Sequence, residues 1–554
     1  MTTDLKNRQT PDNVPAPPLR EYFIGSHHKW AAAFSGFFAG FIFSTAMLIL
    51  LWANITPRSL ANLVADRFSN LLPGAFTEFF IQSIGPLGKQ IEFFSVLLGQ
   101  VLFGGLLGLL FVLIFPQIKG RNLLARNAFL LTTAVWAVFM LVILPIIGQG
   151  FLGSELGNDQ LIILVSSLVL FEIFGGAFVG FFQYLVPQTG LALDIPTKDT
   201  DEAEREIVPG GASRRRFIMA MTGLFTLAAG AALIGTAFHN SANSQGQLGA
   251  KTLNDGTLEG EVTSNTDFYH VSKNAIDPTV EPTGWRLRID GLVNNTITLS
   301  LDDIKQMQSQ TQYQNLTCIS NAVGGSLIGN AKWKGVPLKA LLEKAGAKPG
   351  VKRIIVKGAD GYTDSFDYDK ALEPATLAAY EMNDVALPND HGGPLRLLIP
   401  NIYGMKNAKW LTGLTLTDDA NYRGFWAQQG WDNLAIIHSE SAITSPGDNN
   451  TVKAGETSTV RGYAFAGSRG IQKVELSTDG GKTWNETKVK EALSPNSWAL
   501  WNYDWKPDTA ANKSYTLVVR ATDKTGAVQT SSQADSFPAG ANGWHTIVVK
   551  TATA

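Results

Sequence analysis

The sequence predicts a multidomain protein: an N-terminal all-α transmembrane bundle of about five helices, an α+β domain and a C-terminal all-β sandwich. Long apolar runs fill the chain up to about residue 240, whereas the remainder has the composition of an ordinary soluble protein. Short strand patterns alternate with helical ones in the middle part, and strand patterns separated by Gly- and Asp-rich turns fill the last part. The predicted boundaries are a cytoplasmic tail at 1–29, the membrane domain at 30–239, a polar linker at 240–264, the α+β domain at 265–440 and the β domain at 441–554.

Five stretches are long enough to cross a bilayer, which requires about 20 apolar residues. The fifth is rich in Gly and Ala and also has the character of a signal-type segment. The chain's formal net charge is -2 and it carries no basic stripe, so nucleic acid is not an expected partner. The predicted spans are 30–52, 93–115, 128–147, 161–185 and 217–238.

Basic residues beside the spans predict the orientation of the bundle. Lys119, Arg121 and Arg126 lie between the second and third spans, and three arginines at 214–216 precede the fifth. The loop between the third and fourth spans carries acidic residues and no Lys or Arg. The sequence therefore predicts a multi-pass protein of the cell membrane, with its N-terminus in the cytoplasm and its C-terminal head outside.

The segment SRRRFI at 213–218 heads the fifth predicted span and resembles a twin-arginine (Tat) export signal. That pathway carries folded cargo, so it serves proteins that load a cofactor in the cytoplasm. The plainer interpretation is a positive cluster that only orients a helix. A cofactor in the head would favour the export signal.

The predicted spans offer few polar groups for electron or proton transfer. None of the 7 histidines lies within a span, which disfavours a heme held by two histidines in the bundle. Glu172 lies near the middle of the fourth span beside Gly175 and Gly176. An intramembrane carboxylate is costly, so Glu172 is a candidate for relaying protons or facing a quinone. The structural alternative is a protonated Glu hydrogen-bonded across a helix interface.

Local signals predict several elements of the head. Ser300 is a candidate N-cap for a helix that begins at Leu301, and Gly346 closes a helical pattern at 338–345. Strand patterns occur at 285–290, 352–357, 395–399 and 411–416 in the α+β domain, and at 459–465, 473–477 and 515–522 in the β domain.

Two features of the α+β domain are candidates for chemistry. Cys318 is the only cysteine, so it is either an inert buried residue or a thiolate kept for reactivity or metal binding. His391, Arg396, Lys406 and Lys409 lie in a Gly-bearing segment at 391–410, and such cations beside bare N–H groups suit a phosphate or pyrophosphate. The alternative for that segment is two ordinary turns with solvated lysines.

From about residue 265 the chain resembles the sulfite oxidase family of molybdopterin-dependent oxidoreductases, with a multi-span membrane domain added in front. The matching segments follow in the family's order: IGNAKWKGVPL at 328–338 after the cysteine, AYEMN at 379–383, LPNDHG at 387–392 and the segment at 391–410. SAITSP at 441–446, RGYAF at 461–465 and VELSTDGGKTW at 474–484 resemble the family's immunoglobulin-like dimerisation domain. A homodimer is therefore one expected assembly.

The resemblance also implies the chemistry of the head. Molybdenum and molybdopterin would be the cofactors, and Cys318 would ligate the metal through its thiolate. The expected reaction is a two-electron oxo transfer to or from a small molecule, with a cytochrome or a quinone as the electron carrier. The residues implied for the pterin and its phosphate are Phe268, Tyr269, Asp360, His391, Arg396, Lys406 and Lys409.

Departures from the family's pattern leave the substrate open. Ala322 and Val323 follow the Cys-x-x-Asn segment, where sulfite-oxidising members tend to carry arginines. The segment NTDFYHVSK at 265–273 resembles the family's entry segment, and it has Ser272 and Lys273 where sulfite-oxidising members carry an arginine. Trp431 is expected in place of the family's active-site tyrosine, with Arg423 and Tyr422 nearby, and we take Trp431 and Arg423 as catalytic candidates. Sulfite oxidation and the reduction of S- or N-oxides are both expected reaction types.

Two other functional classes stay open from the sequence. One is a non-catalytic receptor or adhesion protein with a metal-free head. The other is a transporter whose head is accessory, which the scarcity of charged residues in the spans disfavours.

Overall fold

The computed structural model describes residues 28–52, 55–56, 60–61, 63–64, 86–116, 121–147, 150–154, 160–186, 260–274 and 277–553. The fifth predicted span, the SRRRFI motif, most of the predicted linker and the tail up to residue 27 lie outside the described residues. The chain divides into two compact units, one formed mainly by the N-terminal helices and one that contains all described residues from 260 onward.

Within the described residues, four helices are long and apolar enough to cross a membrane, and they coincide with the first four predicted spans. Their apolar segments are Lys29–Leu51, Ser95–Ile114, Asn122–Ile146 and Gln160–Leu185, with mean hydropathies of 2.0, 2.4, 2.4 and 2.3. The helices themselves are α1 (Lys29–Trp52), α2 (Pro86–Ile114), α3 (Arg121–Val138) and α4 (Gln160–Leu185), and α3 continues through a π-helical turn (Phe139–Ile143) into a short helical turn (Leu144–Ile146).

Small residues let neighbouring helices of this unit approach closely. A Cβ on Gly36 of α1 would lie 2.1 Å from the carbonyl oxygen of Gly104 on α2. Between α3 and α4, Thr133 donates a hydrogen bond of 2.7 Å to the carboxyl group of Glu172. Glu172 is thus hydrogen-bonded across a helix interface, and a role for it in proton transfer or quinone binding stays a prediction.

The α+β domain contains two sheets, one in the order β2-β1-β10-β5-β6 and one in the order β3-β4-β7-β8, with β9 paired to β7. Its neighbouring strands pair antiparallel, except that β1 and β10 are parallel. The strands are β1 (Leu287–Gly291), β2 (Ile297–Leu299), β3 (Gln310–Thr317), β4 (Ile328–Pro337), β5 (Arg353–Gly358), β6 (Thr363–Asp367), β7 (Leu377–Met382), β8 (Val385–Ala386), β9 (Arg396–Leu398) and β10 (Leu411–Thr417).

Short helices connect these strands, and two of them follow local sequence signals. Helix α5 (Leu301–Lys305) begins with a capping box, in which the Ser300 hydroxyl accepts from the Asp303 N–H and the Asp303 carboxylate accepts from the Ser300 N–H. Helix α6 (Leu338–Ala345) ends at Gly346, whose φ of 70° is in the left-handed region. Both predicted helices are confirmed. The remaining helices are α7 (Tyr368–Leu372) and α8 (Phe425–Gln428).

The β domain consists of two sheets, in the orders β11-β13-β17-β16 and β12-β19-β18-β14-β15. Val460 and Trp501 of the first sheet pack in one core with Leu517 and Val549 of the second. The strands are β11 (Glu440–Ser445), β12 (Thr451–Lys453), β13 (Ser458–Phe465), β14 (Ile471–Ser477), β15 (Asn485–Glu486), β16 (Lys488–Val489), β17 (Ala499–Trp505), β18 (Ser514–Asp523) and β19 (His545–Ala552).

The α+β and β domains share a second, larger core. It joins residues such as Leu395 and Ile399 of the first domain to Tyr463 and Trp498 of the second. All four side chains are buried. Because burial of apolar surface is the main favourable contribution to folding, the two domains stabilise each other.

Candidate active site

One cavity collects most of the residues that the sequence singles out. It encloses about 880 Å³ of space not filled by atoms, part of which is open to solvent. The predicted site residues that line it are Phe268, Tyr269, Cys318, Asp360, His391, Arg396, Lys409 and Trp431.

Cys318 directly follows β3, at the start of the loop that leads into β4. The loop is closed at its base, because the Cys318 N–H donates to the Leu327 carbonyl at 2.9 Å. Asn321 holds the loop from inside: its N–H donates to the Cys318 carbonyl at 3.0 Å, and its Oδ1 accepts from the Leu327 N–H at 2.9 Å. The thiol is buried and lines the cavity.

Arg396, the first residue of β9, is 5% exposed and also lines the cavity. Its Nη1 and Nη2 donate to the carbonyls of His391 and Asn407 at 2.7 and 3.2 Å, and its Cζ lies 5.3 Å from the ring centre of Trp333. Within the described part of the chain its Nε has no hydrogen-bond partner and its side chain forms no ion pair. Burial lowers the pKa of the guanidinium to about 10, so it is still charged at neutral pH.

His391 contributes no charge to the cavity. Its Nε2 lies 2.6 Å from the carbonyl oxygen of Asn265, and since a carbonyl only accepts, Nε2 carries the proton. Burial lowers the pKa of His391 to about 3, and the nearby positive charge of Arg396 acts in the same direction. The ring therefore connects the entry segment, through Asn265, to the 391–410 segment by a hydrogen bond.

Lys409 supplies the second cation, and this one is partly neutralised. Its Nζ donates to the Asp390 carbonyl at 3.1 Å and lies 3.9 Å from Asp277 Oδ2, which is also 2.6 Å from His270 Nε2. Burial opposes ionisation of Asp277, but the charge of Lys409 and the hydrogen bond with His270 hold its pKa well below the usual value. Burial also lowers the pKa of Lys409, more than Asp277 raises it.

The other predicted residues on the cavity wall are mostly fixed by protein contacts. Phe268 and Tyr269 stack with ring centres 5.4 Å apart. Asp360 accepts from Asn274 Nδ2 and from the Tyr362 N–H, both at 3.0 Å. Trp431 is buried with its ring edge-on to Phe537, at 5.2 Å between centres.

Two predicted residues do not line this cavity. Lys406 is buried and its Nζ is bonded to Asp364 at 2.6 Å and to Asn433 at 3.1 Å. Arg423 is exposed. Their predicted roles in cofactor binding and catalysis stay predictions.

The sequence reasoning did not single out several residues of the wall. Tyr362, Met405 and Trp426 line the cavity. Lys273, which the sequence singles out only where the family carries an arginine, also lines it, and its Nζ lies 5.7 Å from the ring centre of Phe425. These residues come from four separate segments, so no single motif indicates them. The Gly and Asn residues around them are ordinary turn signals.

The cavity fits an anionic cofactor that brings its own metal ligands. A buried cation without a counter-ion is costly, so the surroundings of Arg396 favour a negatively charged ligand. The described residues contain no group of three or more His, Cys, Asp or Glu side chains arranged to hold a metal ion. A metal beside Cys318 would therefore need further ligands from the cofactor, as the dithiolene sulfurs of molybdopterin supply.

Comparison with known proteins identifies two domains. Residues 274–426 match the family model of the oxidoreductase molybdopterin binding domain, and residues 433–552 match that of the Mo-co oxidoreductase dimerisation domain. The chain is 31% identical to sulfite oxidase of Gallus gallus over 340 residues, which is 53% of this chain and 73% of that protein.

A second relative and one solved structure also match the chain. Mitochondrial sulfite oxidase of Drosophila melanogaster is 30% identical over 293 residues, which is 44% of this chain, and the chain spans only 51% of that relative's length. The crystal structure of the sulfane dehydrogenase SoxCD from Paracoccus pantotrophus aligns with a TM-score of 0.47 and 24% identity, over 53% of this chain and 82% of that chain. The two domain matches and the avian relative establish that the chain belongs to the sulfite oxidase family of molybdopterin-dependent oxidoreductases.

Proposed function

We propose that this protein is a membrane-anchored molybdopterin oxidoreductase, which transfers one oxo group and two electrons at a molybdenum centre ligated by Cys318. The supporting observation is the buried guanidinium of Arg396, which lines the same cavity as the Cys318 thiol and has no acidic partner among the described side chains. A soft metal ligand and an uncompensated cation in one cavity suit a cofactor that is an anion and carries a metal.

Different residues of the chain would bind different parts of that cofactor. When bound, molybdopterin supplies a molybdenum that exchanges an oxo group and two electrons with the substrate. Cys318 would ligate the metal, Arg396 and Lys409 would bind the phosphate end, and Phe268 and Tyr269 would pack beside the pterin. His391, kept neutral by burial, would orient the entry segment through its hydrogen bond to Asn265.

The substrate pocket carries little positive charge near the thiol. Ala322 and Val323 stand in the loop after Cys318, and the cavity wall includes the aromatic and apolar side chains of Met405, Trp426 and Trp431. A sulfite dianion needs several cations to offset its desolvation. A neutral or weakly charged S- or N-oxide fits this wall at least as well as sulfite does.

The remaining proposals concern the setting of the enzyme. The basic residues flanking the spans support a head outside the cytoplasm, and SRRRFI supports its export with cofactor bound. The two sheets of the β domain support an immunoglobulin-like sandwich that forms a homodimer. The electron carrier would be a cytochrome, or a quinone if the bundle binds one.

Metal analysis of the wild-type protein and of Cys318→Ser, with assays of sulfite oxidation and of S- and N-oxide reduction, tests the proposal. We expect equimolar molybdenum in the wild type, and in the variant the loss of activity in every assay with molybdenum retained, because serine is a harder ligand than a thiolate. Unchanged activity of the variant would refute the site assignment. A wild-type head without molybdenum that binds a protein ligand would instead support the receptor class.

A further inference from the structure

The loop that begins at Cys318 connects β3 to β4. Hydrogen bonds to the β domain hold β3 in place, in addition to its pairing with β4. The Asn315 N–H of β3 donates to the Asn496 carbonyl at 2.9 Å, and Asn315 Oδ1 accepts from the Trp498 N–H at 3.0 Å. The strand that delivers Cys318 to the cavity is therefore fastened to the second domain immediately before the cysteine.

A single carboxylate of the β domain bonds to side chains on both sides of the cysteine. Glu440 ends the predicted α+β domain, but in the structure it is the first residue of β11 and so belongs to the β domain. It accepts from the Thr317 hydroxyl through Oε1 at 3.1 Å. Its Oε2 accepts from Asn321 Nδ2 at 3.2 Å. Asn321 in turn closes the loop through its hydrogen bonds to Cys318 and Leu327. Glu440 therefore holds the loop indirectly, through the side chain of Asn321.

A second contact limits movement of the loop toward the β domain. Gly324 has a φ of 72°, and a Cβ there would lie 2.3 Å from Cδ2 of His545. His545 is itself held, because its Nδ1 accepts from the Ile443 N–H at 3.0 Å. The loop thus lies directly against β19, with no room for a side chain at Gly324.

The carboxyl group of Glu440 is buried rather than solvated at the surface, and this favours a role in holding the loop. Burial raises the pKa of Glu440 to about 7, and the bonds from Thr317 and Asn321 act against that rise. The protein keeps a carboxyl group in an unfavourable environment where it accepts from Thr317, which precedes the cysteine, and from Asn321, which lies three residues after it.

We propose that Glu440 is a positioning residue for Cys318, and that the β domain thereby completes the metal site of the α+β domain. The proposal rests on the proposed function only in that Cys318 is taken as the metal ligand. The order of the loop itself is measurable without metal or turnover.

The test uses the full-length, metal-free chain, produced in cells that lack molybdenum cofactor. Because Cys318 is the only cysteine, the rate of alkylation by iodoacetamide reports on this loop alone. We expect Glu440→Ala to raise the rate about tenfold, the order of effect for losing two hydrogen bonds that close a loop. We expect Glu440→Gln to stay within about twofold of wild type, because its amide can donate to the Thr317 hydroxyl while its oxygen accepts from Asn321.

Two further variants separate positioning from general damage. Glu475→Gln on β14 removes a carboxylate that accepts from Arg520 at 3.0 Å, elsewhere in the same domain, and should leave the alkylation rate unchanged. Thr317→Val removes one partner of Glu440 from the other domain, so its effect should not add to that of Glu440→Ala. Equal alkylation rates in wild type and Glu440→Ala, or an equal increase in Glu475→Gln, would overturn the proposal.

The cofactor-loaded protein gives a second readout. In Glu440→Ala we expect a changed Mo(V) electron paramagnetic resonance spectrum, and in Glu440→Gln the wild-type spectrum. Identical spectra in all three proteins would overturn the positioning role while leaving the proposed function intact. A wild-type chain that binds no molybdenum but shows the expected alkylation rates would refute the proposed function and retain the ordering of the loop by Glu440.

Discussion

The guanidinium of Arg396 is the side chain on which cofactor binding should depend most. Arg396→Gln removes a buried charge that lacks an acidic partner among the described residues, together with its hydrogen bonds to the carbonyls of His391 and Asn407. The lost charge should weaken the binding of an anionic ligand. We expect the affinity for molybdopterin to fall about 10- to 100-fold, as for the loss of hydrogen bonds to a charged group. The pterin content of the purified protein measures this. Arg520→Gln, which removes a cation paired with Glu475, is the control, and equal pterin content in both variants would contradict the prediction.

Burial of His391 makes the head less stable in mild acid. Its pKa is lowered from 6.5 to about 3, so between these values the unfolded chain binds one more proton than the folded one. The free energy of unfolding therefore falls as pH drops below 6.5, by at most about 1.4 kcal/mol per pH unit, and is unaffected above it.

Thermal unfolding of the metal-free protein from pH 7 to pH 4 measures this dependence. His391→Gln keeps a donor for the Asn265 carbonyl and cannot titrate, so its unfolding temperature should depend less on pH than that of the wild type. Parallel pH curves for the two proteins would show that His391 is not the group responsible.

The sequence alone could not show which of the two lysines Lys406 and Lys409 lines the cavity. Both lysines lie in the same segment, but Lys406 is buried and bonded to Asp364, whereas Lys409 is half-buried and lines the cavity. Lys406 is the last residue of the short helical turn Gly404–Lys406, whereas Lys409 lies beyond it. That geometry depends on partners such as Asp364 in β6, which are distant in the sequence.

At the level of elements, the capping box of α5 allows a simple test. Ser300→Ala removes the hydroxyl that accepts from the Asp303 N–H, and we expect it to cost about 1 kcal/mol of stability. Ser300→Thr keeps an acceptor and should restore most of this loss. Thermal unfolding of both variants measures the difference, and equal destabilisation by Ala and Thr would rule out capping as the cause.

The start of α5 and the end of α6 could be predicted because residues next to each helix determine them. The contacts that hold the loop after Cys318 could not be predicted from the sequence. Ser300 and Gly346 act on their own helices, so the sequence alone indicates where α5 begins and where α6 ends. Cys318 and the 391–410 segment were found from residue type and resemblance. Glu440 was missed because it lies at the start of an unrelated strand, and only the shared core of the two domains brings it to Thr317.

At the level of the whole molecule, the shared core bears on the expected role of the β domain. From the sequence its expected roles are packing, association or coverage of the first domain. In the structure it contributes Tyr463, Phe465 and Trp498 to the core of the catalytic domain. An export route that carries folded cargo would suit such a head, because the two domains share a core.

The motif SRRRFI offers a test of that route, since its two interpretations predict different results for one variant. Arg214→Lys with Arg215→Lys keeps every positive charge, so a cluster that only orients a helix would still act. A twin-arginine signal requires the arginines themselves. We expect the head of the double variant to lose its accessibility to protease in right-side-out membrane vesicles, where the wild-type head is cleaved. Arg121→Lys with Arg126→Lys should change nothing, and a double variant at 214 and 215 that is cleaved like the wild type would leave orientation as the only role of the cluster.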